Sequence, residues 1–326
     1  MLKLAIVGTN WITERFVRAA LDTHQFELFA VYSRNQDSAK AFASKFDVTR
    51  TFTDLEELAS SEADCIYIAS PNSLHAPQAI QMMEAGKHVI VEKPMASNFA
   101  LAKQMFEVAE RCGVVLFEAY MSEYLPNFAV LKQNLERLGQ VRKANIHYCQ
   151  YSSRYQKYLD GENPNTFNPA FSNGSIMDIG FYCVSAAVAL FGEPKSVKAD
   201  AIKLDTGVDG HGSVILNYGE FDAVLTHSKV NDSFLPCEVQ GEKGTLQTDM
   251  IALCNTVSFH QRDKAPIDLT QQQHSNPMYY EALAFADCVK NGEIKEEAKQ
   301  RALTVSKLIT EIRRQTGVTF PADENL

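Results

Sequence analysis

Two side chains in the sequence could handle a proton together. Lys93 follows the strand-like run His88–Glu92 and precedes Pro94, which restricts the backbone behind its ammonium group. Tyr182 lies in the long apolar segment Ser175–Leu190. A phenol has an unperturbed pKa near ~10, too high for a base at neutral pH, but a nearby ammonium stabilises the phenolate and lowers that pKa. The two residues are therefore candidates for acid–base work on a hydroxyl group.

The segment around Tyr182 also carries a carboxylate. Spacings of three and four residues place Ser175, Asp178, Tyr182 and Ser185 on one face of a predicted helix that is otherwise apolar. Buried polar groups face either a satisfied protein network or a ligand cavity, and both interpretations remain open for this helix alone. Together with Lys93, Asp178 becomes a candidate to orient a substrate or the lysine.

The first predicted strand ends in an eroded glycine-rich turn. The turn reads Gly8-Thr9-Asn10-Trp11-Ile12-Thr13, where a dinucleotide-binding turn reads G-x-G-x-x-G, so only the first glycine is kept. Taken alone, the stretch is about as well explained as a structural strand-to-helix turn. Asparagine tolerates a left-handed backbone, and a helix that starts here offers free N–H groups, so pyrophosphate binding is still compatible with these residues.

The end of the second predicted strand indicates which nicotinamide nucleotide would bind. Sites that prefer NAD(H) place Asp or Glu there to bind the ribose 2′-hydroxyl. This chain has Ser33 and Arg34 instead, and a guanidinium suits the oxygens of a 2′-phosphate. NADP(H) is therefore favoured, with NAD(H) as the alternative, because an exposed arginine in a loop is also common.

A third turn follows another predicted strand and reads Ser70-Pro71-Asn72-Ser73-Leu74-His75. In a parallel sheet this turn lies beside the same crevice as the other two. Ser, Pro and Asn are also ordinary turn residues, so a purely structural interpretation is equally good here.

Strands and helices alternate over the first 120 residues. Several strands are continuously apolar, which is typical of strands covered by helices on both faces, and the alternation predicts a doubly wound parallel α/β sheet. The predicted strands are Leu2–Val7, Glu27–Tyr32, a weak one at 50–52, Cys65–Ala69, Val89–Glu92 and Val114–Ala119, with helices at about 12–22, 37–46, 55–59, 77–85 and 99–111.

The pattern changes after residue 120. Successive strand-like runs between about 196 and 260 are joined by short turns, which predicts a large, open, mostly antiparallel sheet. We therefore expect two domains: residues 1–120 for dinucleotide binding, and residues 121–326 as an α+β domain for substrate binding and dimerisation. Few helices are available to cover the second sheet, so one face is expected to pair with a second subunit.

Composition excludes several functional classes. The formal net charge of −9 argues against nucleic-acid binding, and the seven scattered cysteines have no metal-ligand spacing. We expect reduced thiols, no metal, no signal peptide and no apolar run long enough to span a bilayer, which together predict a cytoplasmic protein without a membrane partner.

Taken together, Glu92-Lys93-Pro94, the Asn72-x-x-His75 turn and the Gly174–Tyr182 segment resemble the Gfo/Idh/MocA oxidoreductases. Tyr182, four residues after the aspartate, stands where many members carry histidine. In this respect the chain is most similar to the dimeric dihydrodiol/D-xylose dehydrogenase and glucose–fructose oxidoreductase branch. The resemblance extends to Met278–Cys288 and to Gly317–Pro321, and so covers essentially the whole chain.

The resemblance implies a Rossmann domain followed by an α+β domain, a homodimer or higher homo-oligomer, and reversible oxidation of an alcohol or sugar hydroxyl. It implies Lys93 and Tyr182 in catalysis, with Asp178 beside them. The implied cofactor contacts are Gly8, Thr9, Asn10, Trp11, Ile12, Ser33, Arg34, Ser70, Pro71, Asn72, His75, Glu92 and Lys93. The chain departs from the family pattern in the lost glycines and in Glu123, where relatives often carry arginine.

The sequence thus predicts an NADP(H)-dependent dehydrogenase or reductase for a sugar, polyol or dihydrodiol-like alcohol, with Lys93 and Tyr182 handling the hydroxyl proton. The alternative is a non-catalytic, dinucleotide-sensing regulatory protein on the same scaffold, which the eroded glycine turn would allow. Retention of both Lys93 and Tyr182 favours the enzyme, because a sensor needs no proton-handling pair.

Overall fold

The computed structural model describes residues 1–324, whose strands form two separate sheets. One compact unit comprises Met1–Tyr120 together with His274–Gln300. The other comprises Met121–Gln273 and residues 301–324. The expected division at residue 120 therefore misses the segment 274–300, which lies with the first unit.

The first unit contains a six-stranded parallel sheet in the order β3-β2-β1-β4-β5-β6. This is the doubly wound order of dinucleotide-binding folds, and the predicted α/β class is confirmed. Because β1 and β4 are neighbours, the strand order reverses between them and opens a crevice at their carboxyl ends. The strands are β1 (Leu2–Val7), β2 (Phe26–Tyr32), β3 (Thr51–Phe52), β4 (Cys65–Ile68), β5 (His88–Glu92) and β6 (Leu116–Ala119).

Helices pack against this sheet, and β4 is buried along its whole length. The helices of this unit before residue 120 are α1 (Trp11–Asp22), α2 (Gln36–Ala43), α3 (Leu55–Ala59), α4 (Asn72–Glu84) and α5 (Phe99–Cys112).

The segment 274–300 contains the helix α9 (Met278–Asn291), which packs in the first unit. The Phe285 ring stacks on Phe26, with ring centroids 6.2 Å apart, and tilts against Phe117 at 5.7 Å. The Asn276 amide donates a hydrogen bond to the backbone oxygen of Arg15 at 2.8 Å. Local sequence does not reveal this placement, since the apolar face of α9 would suit either sheet.

The second unit contains an eight-stranded sheet in the order β14-β13-β12-β11-β7-β10-β9-β8. Only the β7–β10 pair is parallel, so the predicted mostly antiparallel sheet is confirmed. Its strands are β7 (Val141–Cys149), β8 (Ser196–Lys203), β9 (Asp209–Asn217), β10 (Asp222–Ser228), β11 (Cys237–Gly241), β12 (Gly244–Thr248), β13 (Val257–His260) and β14 (Ile267–Asp268). The remaining helices are α6 (Pro126–Gln133), α7 (Tyr155–Leu159), α8 (Phe181–Phe191) and α10 (Glu296–Thr316), of which α10 belongs to the second unit from Arg301 onward.

Alternate residues of the second sheet face opposite ways. Along β9, Val214 and Leu216 are buried, whereas Ile215 between them is 43% exposed. One face of this part of the sheet is therefore uncovered within the chain, as the shortage of helices predicts.

One apolar segment of the second unit is longer than expected. By length and composition alone, Pro169–Phe191 could cross a membrane, so the prediction that no apolar run is long enough is wrong on those criteria. However, 78% of its apolar window is buried inside the structure, as in the core helix of a globular protein.

Candidate active site

The crevice of the first sheet begins at Gly8, directly after β1. Its φ of +113° lies in the region that favours glycine, and a Cβ built there would lie 2.8 Å from the backbone oxygen of Ala69, directly after β4. The two strand ends thus approach too closely for any other residue. The one glycine kept from the fingerprint is the one that the turn requires.

Asn10 caps the helix that follows the turn. Its φ of −86° is not left-handed, and its side-chain oxygen accepts hydrogen bonds from the N–H groups of Ile12 at 2.9 Å and Thr13 at 3.1 Å. The amide nitrogen donates to Ala69 O at 3.2 Å. The expectation of free N–H groups at the start of α1 is therefore wrong for Ile12 and Thr13, because the asparagine caps the helix.

Other predicted cofactor residues are accessible at this edge. Trp11, the only tryptophan of the chain, is 69% exposed, and Thr9 and Ile12 are half-buried. At the end of β2, Ser33 is half-buried and Arg34 is exposed, with no acidic residue beside them in the chain. The residues present therefore fit a dinucleotide whose ribose carries a phosphate.

The turn after β4 is held together internally. The Ser70 hydroxyl donates to the Gln78 side chain at 2.7 Å, and half-buried Pro71 and Asn72 lead into α4. His75 is 1% exposed, and its two ring nitrogens lie 2.8 Å from Ser70 O and 2.9 Å from Pro94 O. The predicted cofactor contact of His75 is therefore corrected: both nitrogens face main-chain carbonyls.

Lys93 lies directly after β5 and is half-buried, and the peptide bond that follows it to Pro94 is cis. Preceding Glu92 is bound within the protein: the Tyr67 hydroxyl donates to one carboxylate oxygen at 2.5 Å, and the Lys93 N–H donates to the other at 3.2 Å. Glu92 thus anchors the strand end that presents Lys93, in addition to any contact with a cofactor.

The predicted polar helix of the second unit is interrupted. A π-helical turn covers Ile176–Gly180, and regular helix α8 begins only at Phe181. The four-residue polar stripe is therefore split: Ser175 and Ser185 are fully buried, whereas Asp178 and Tyr182 are half-exposed. Wider helical turns of this kind are frequent at functional sites.

Two residues near this turn were missed by the sequence analysis. Lys229 forms an ion pair with Asp178, and the Tyr148 ring packs edge-on against Tyr182, with centroids 5.7 Å apart. Lys229 directly follows β10, as Lys93 directly follows β5. A lysine at the end of a strand was thus a signal that could have identified it.

A buried polar network holds the start of the π-helical turn. His227 lies 2.8 Å from the Ser175 hydroxyl, and Asp209 accepts a hydrogen bond from the N–H of Ile176 at 2.6 Å. Burial raises the pKa of Asp209 to about 6 and lowers the pKa of His227 to about 3, so His227 is neutral at pH 7. A Cβ on Gly180 would lie 2.9 Å from the His227 ring, so this contact requires glycine.

Glu123, the charge reversal noted in the sequence, is compensated within the second unit. Its carboxylate lies 2.7 Å from Arg301 Nε, and the two side chains are 19% and 4% exposed. The reversed charge is therefore part of an ion pair.

Comparisons with known proteins cover the whole chain. The family described as "Oxidoreductase family, NAD-binding Rossmann fold" matches residues 2–120, and the "GFO/IDH/MocA C-terminal domain" matches residues 131–247. The chain is 53% identical over 324 residues to the uncharacterized oxidoreductase YgjR of Escherichia coli, covering 99% of each protein. It is 46% identical to scyllo-inositol 2-dehydrogenase (NADP(+)) IolU of Bacillus subtilis, covering 99% of this chain and all of IolU. It is 30% identical to trans-1,2-dihydrobenzene-1,2-diol dehydrogenase of Mus musculus, covering 99% of each.

Solved structures share the fold at lower identity. A 3-ketoreductase from Actinomadura kijaniata, in complex with NADP and TDP-benzene, has a TM-score of 0.84 at 22% identity, with 97% of this chain and 98% of that one covered. Levoglucosan dehydrogenase, in complex with NADH and levoglucosan, has a TM-score of 0.83 at 17% identity, with 97% of each covered. The Rossmann sheet, the open second sheet and the two matching domain families lead to one conclusion: the chain belongs to the Gfo/Idh/MocA oxidoreductase family.

Proposed function

We propose that the protein is an NADP(H)-dependent oxidoreductase that transfers a hydride between the nicotinamide and a CH–OH carbon of a sugar, polyol or dihydrodiol-like substrate. The observation that carries the proposal is that three polar side chains of the expected types are accessible to a ligand. Lys93 lies at the carboxyl edge of the Rossmann sheet, and Asp178 and Tyr182 are the half-exposed polar residues of the π-helical region. The names of IolU and of the mouse enzyme support an NADP-linked reaction on a polyol or diol.

The cofactor residues divide by the part of the dinucleotide that they would hold. The turn from Gly8 to Ile12 would hold the pyrophosphate, and Ser33 with Arg34 would hold the 2′-phosphate. When bound, the nicotinamide supplies the hydride chemistry.

The protein's own residues would supply proton transfer and orientation. In the oxidation direction, the Tyr182 phenolate takes the proton of the substrate hydroxyl; in reduction, the phenol returns it. Lys93 stabilises the phenolate by its charge. Asp178, held by Lys229, accepts a hydrogen bond from a neighbouring hydroxyl of the substrate and so orients the reacting carbon.

We also propose a cytoplasmic homodimer that binds neither nucleic acid nor membrane. The open face of the second sheet supports self-association, because Ile215 and Ile202 on β9 and β8 are 43% and 58% exposed. Light scattering coupled to size exclusion would measure the mass of the particle, and a monomer at micromolar concentration would contradict the dimer.

The test is a panel of inositols, sugars and diols, followed by the absorbance of the reduced nicotinamide, with binding measured separately by Trp11 fluorescence. Turnover of at least one polyol or diol with NADP(H) is expected. Lys93→Ala and Tyr182→Phe should abolish most turnover while cofactor binding remains. Lys87→Ala is the matched control, because Lys87 directly precedes the same strand β5 at its other end and binds Ser61 O. Tight cofactor binding with every substrate inert would favour the sensor instead.

A further inference from the structure

Two buried side chains bind the same peptide group. His75 Nδ1 lies 2.9 Å from the carbonyl oxygen of Pro94, and the N–H of Met95 donates to a carboxylate oxygen of Glu118 at 3.0 Å. The Pro94 carbonyl and the Met95 N–H belong to one peptide unit, so that unit is held on both sides. The side chains come from α4 and β6, two different elements of the first unit.

Polar side chains such as His75 and Glu118 are seldom fully buried in a protein interior. His75 is 1% exposed and Glu118 is 3% exposed. Removing polar groups from water costs free energy unless their hydrogen bonds are replaced, and the peptide unit replaces one bond for each of them. Hydrogen bonds in a site of low dielectric are also stronger than in water.

The peptide unit that they hold lies one residue beyond Lys93. On the other side of Lys93, its own N–H is bound to the Glu92 carboxylate at 3.2 Å. The main chain that carries the ammonium group is therefore tied down before and after the lysine. The second ring nitrogen of His75 lies 2.8 Å from Ser70 O, but a neutral imidazole has a single N–H and donates to only one of the two carbonyl oxygens.

We propose that His75 and Glu118 are positioning residues that clamp the Pro94–Met95 peptide and thereby fix Lys93 relative to α4 and β6. Neither residue contacts substrate in this role. The inference rests on the proposed function only in that Lys93 is taken as the catalytic lysine.

Kinetics of four variants test the clamp. His75→Ala and Glu118→Ala should each lower kcat about 10- to 100-fold, since displacement of a catalytic group by about 1 Å has that order of effect. The dissociation constant for NADP should change less than about threefold, because neither side chain binds the cofactor. Glu118→Gln keeps an acceptor oxygen for the Met95 N–H, so it should recover most of the activity lost in Glu118→Ala. His75→Gln keeps a donor group for Pro94 O but not the geometry of the ring, so its kcat should be intermediate.

The matched control is His88→Ala, on the same strand as Lys93. His88 also binds the backbone, accepting from the Val115 N–H at 3.0 Å, but at the opposite end of β5. The variant His88→Ala should therefore leave kcat unchanged. Equal losses in kcat for His75→Ala and His88→Ala would overturn the proposal, as would a Glu118→Gln variant no better than Glu118→Ala.

A spectroscopic measurement tests the clamp independently of enzyme activity. Because a carbonyl oxygen only accepts, the bond to Pro94 requires a proton on Nδ1 of His75. Nitrogen NMR of the protein labelled in histidine should show a protonated Nδ1 at neutral pH. A ring protonated at Nε2 alone would overturn the clamp. If instead Lys93→Ala leaves turnover intact, the proposed function fails while this NMR result still decides the clamp.

Discussion

The carboxylate of Asp178 is ion-paired with the ammonium group of Lys229, and both lie in the second unit. The Lys229 side chain is 7% exposed and that of Asp178 is 35% exposed, so the pair has a buried and an accessible end. A buried ammonium group is costly without a partner, so Asp178 compensates Lys229 while Lys229 orients Asp178. A substrate hydroxyl would therefore meet a carboxylate whose direction is already set.

Lys229→Met should weaken this orientation while keeping a side chain of similar length. A hydrogen bond to a charged group contributes about 1.5–3 kcal/mol. Since about 1.4 kcal/mol corresponds to a tenfold change in a rate or equilibrium constant, kcat/KM should fall about 10- to 100-fold. Steady-state kinetics on the active substrate measures this. Lys143→Met is the control, since Lys143 pairs with Asp222 at 2.9 Å on the same sheet with 41% and 33% exposure. An unchanged kcat/KM in Lys229→Met would contradict the role of the pair.

Arg34→Gln should reduce the affinity for NADP(H) and leave that for NAD(H) nearly unchanged. The guanidinium would bind a 2′-phosphate that only NADP(H) carries. The loss should be about 10- to 100-fold, measured by titration of Trp11 fluorescence. Arg18→Gln serves as the control, because Arg18 on α1 pairs with Glu14 in the same helix. Equal losses for both nucleotides would show that Arg34 does not select between them.

Asn10→Gly should free the N–H groups of Ile12 and Thr13 for a pyrophosphate and so tighten NADP binding. Glycine is a fair helix cap, so unfolding free energy should drop by only a few tenths of a kcal/mol. Asn10→Ala, the companion variant, loses the cap and should cost about 1 kcal/mol. Trp11 fluorescence and urea denaturation measure the two effects. Weaker binding by Asn10→Gly would mean that the asparagine side chain itself holds the cofactor.

Glu281→Gln should remove a pH dependence of stability. Glu281 is fully buried on α9, and within residues 1–324 neither carboxyl oxygen has a hydrogen-bond partner. Burial, with the charge of Glu92 adding to it, raises the pKa of Glu281 well above its ordinary value of 4.5. The stability contributed by the neutral carboxyl group is therefore complete below pH 4.5 and is lost as pH rises through the folded-state pKa.

The measurement is urea denaturation of the wild type and of Glu281→Gln at a series of pH values from 4.5 upward. Relative to the wild type, Glu281→Gln should gain about 1.4 kcal/mol of unfolding free energy per pH unit above pH 4.5 until the folded-state pKa is reached. Glu107→Gln, at a 60% exposed position on α5, should show no such slope. A constant difference between wild type and Glu281→Gln at every pH would refute a protonated Glu281.

Gly174→Ala should destabilise the second unit where the π-helical turn begins. Gly174 has a φ of +138°, and an added Cβ would lie 2.4 Å from a carboxylate oxygen of buried Asp209. Gly161→Ala isolates the backbone effect, because Gly161 has a φ of +83° with nothing within 4 Å. The control should cost about 1–2 kcal/mol, and Gly174→Ala should cost clearly more. Equal midpoints in thermal unfolding would contradict the clash with Asp209.

Two expectations from the sequence were wrong for physical reasons, one at the start of α1 and one at the polar stripe of the second unit. The expectation of free N–H groups at the start of α1 was wrong for Ile12 and Thr13, because the side-chain oxygen of Asn10 accepts a hydrogen bond from each. The predicted four-residue polar stripe is split by the π-helical turn Ile176–Gly180, whose start is bound by Asp209 on β9 and His227 on β10. The cap was a local signal, since asparagine before a helix is a preferred N-cap, whereas the bonds to Asp209 and His227 join residues 33 and 52 positions apart.

The sequence by itself determined the alternation of strands and helices, the glycine that the first turn requires, and the placement of Lys93 at the end of a strand. These follow from periodicity and from the restricted backbones of glycine and proline, which act over a few residues. Only the tertiary structure decided that α9 returns to the first sheet, that Lys229 holds Asp178, and that His75 binds Pro94 O. Such contacts join residues between 19 and 261 positions apart, so they depend on how whole elements pack and not on local preference.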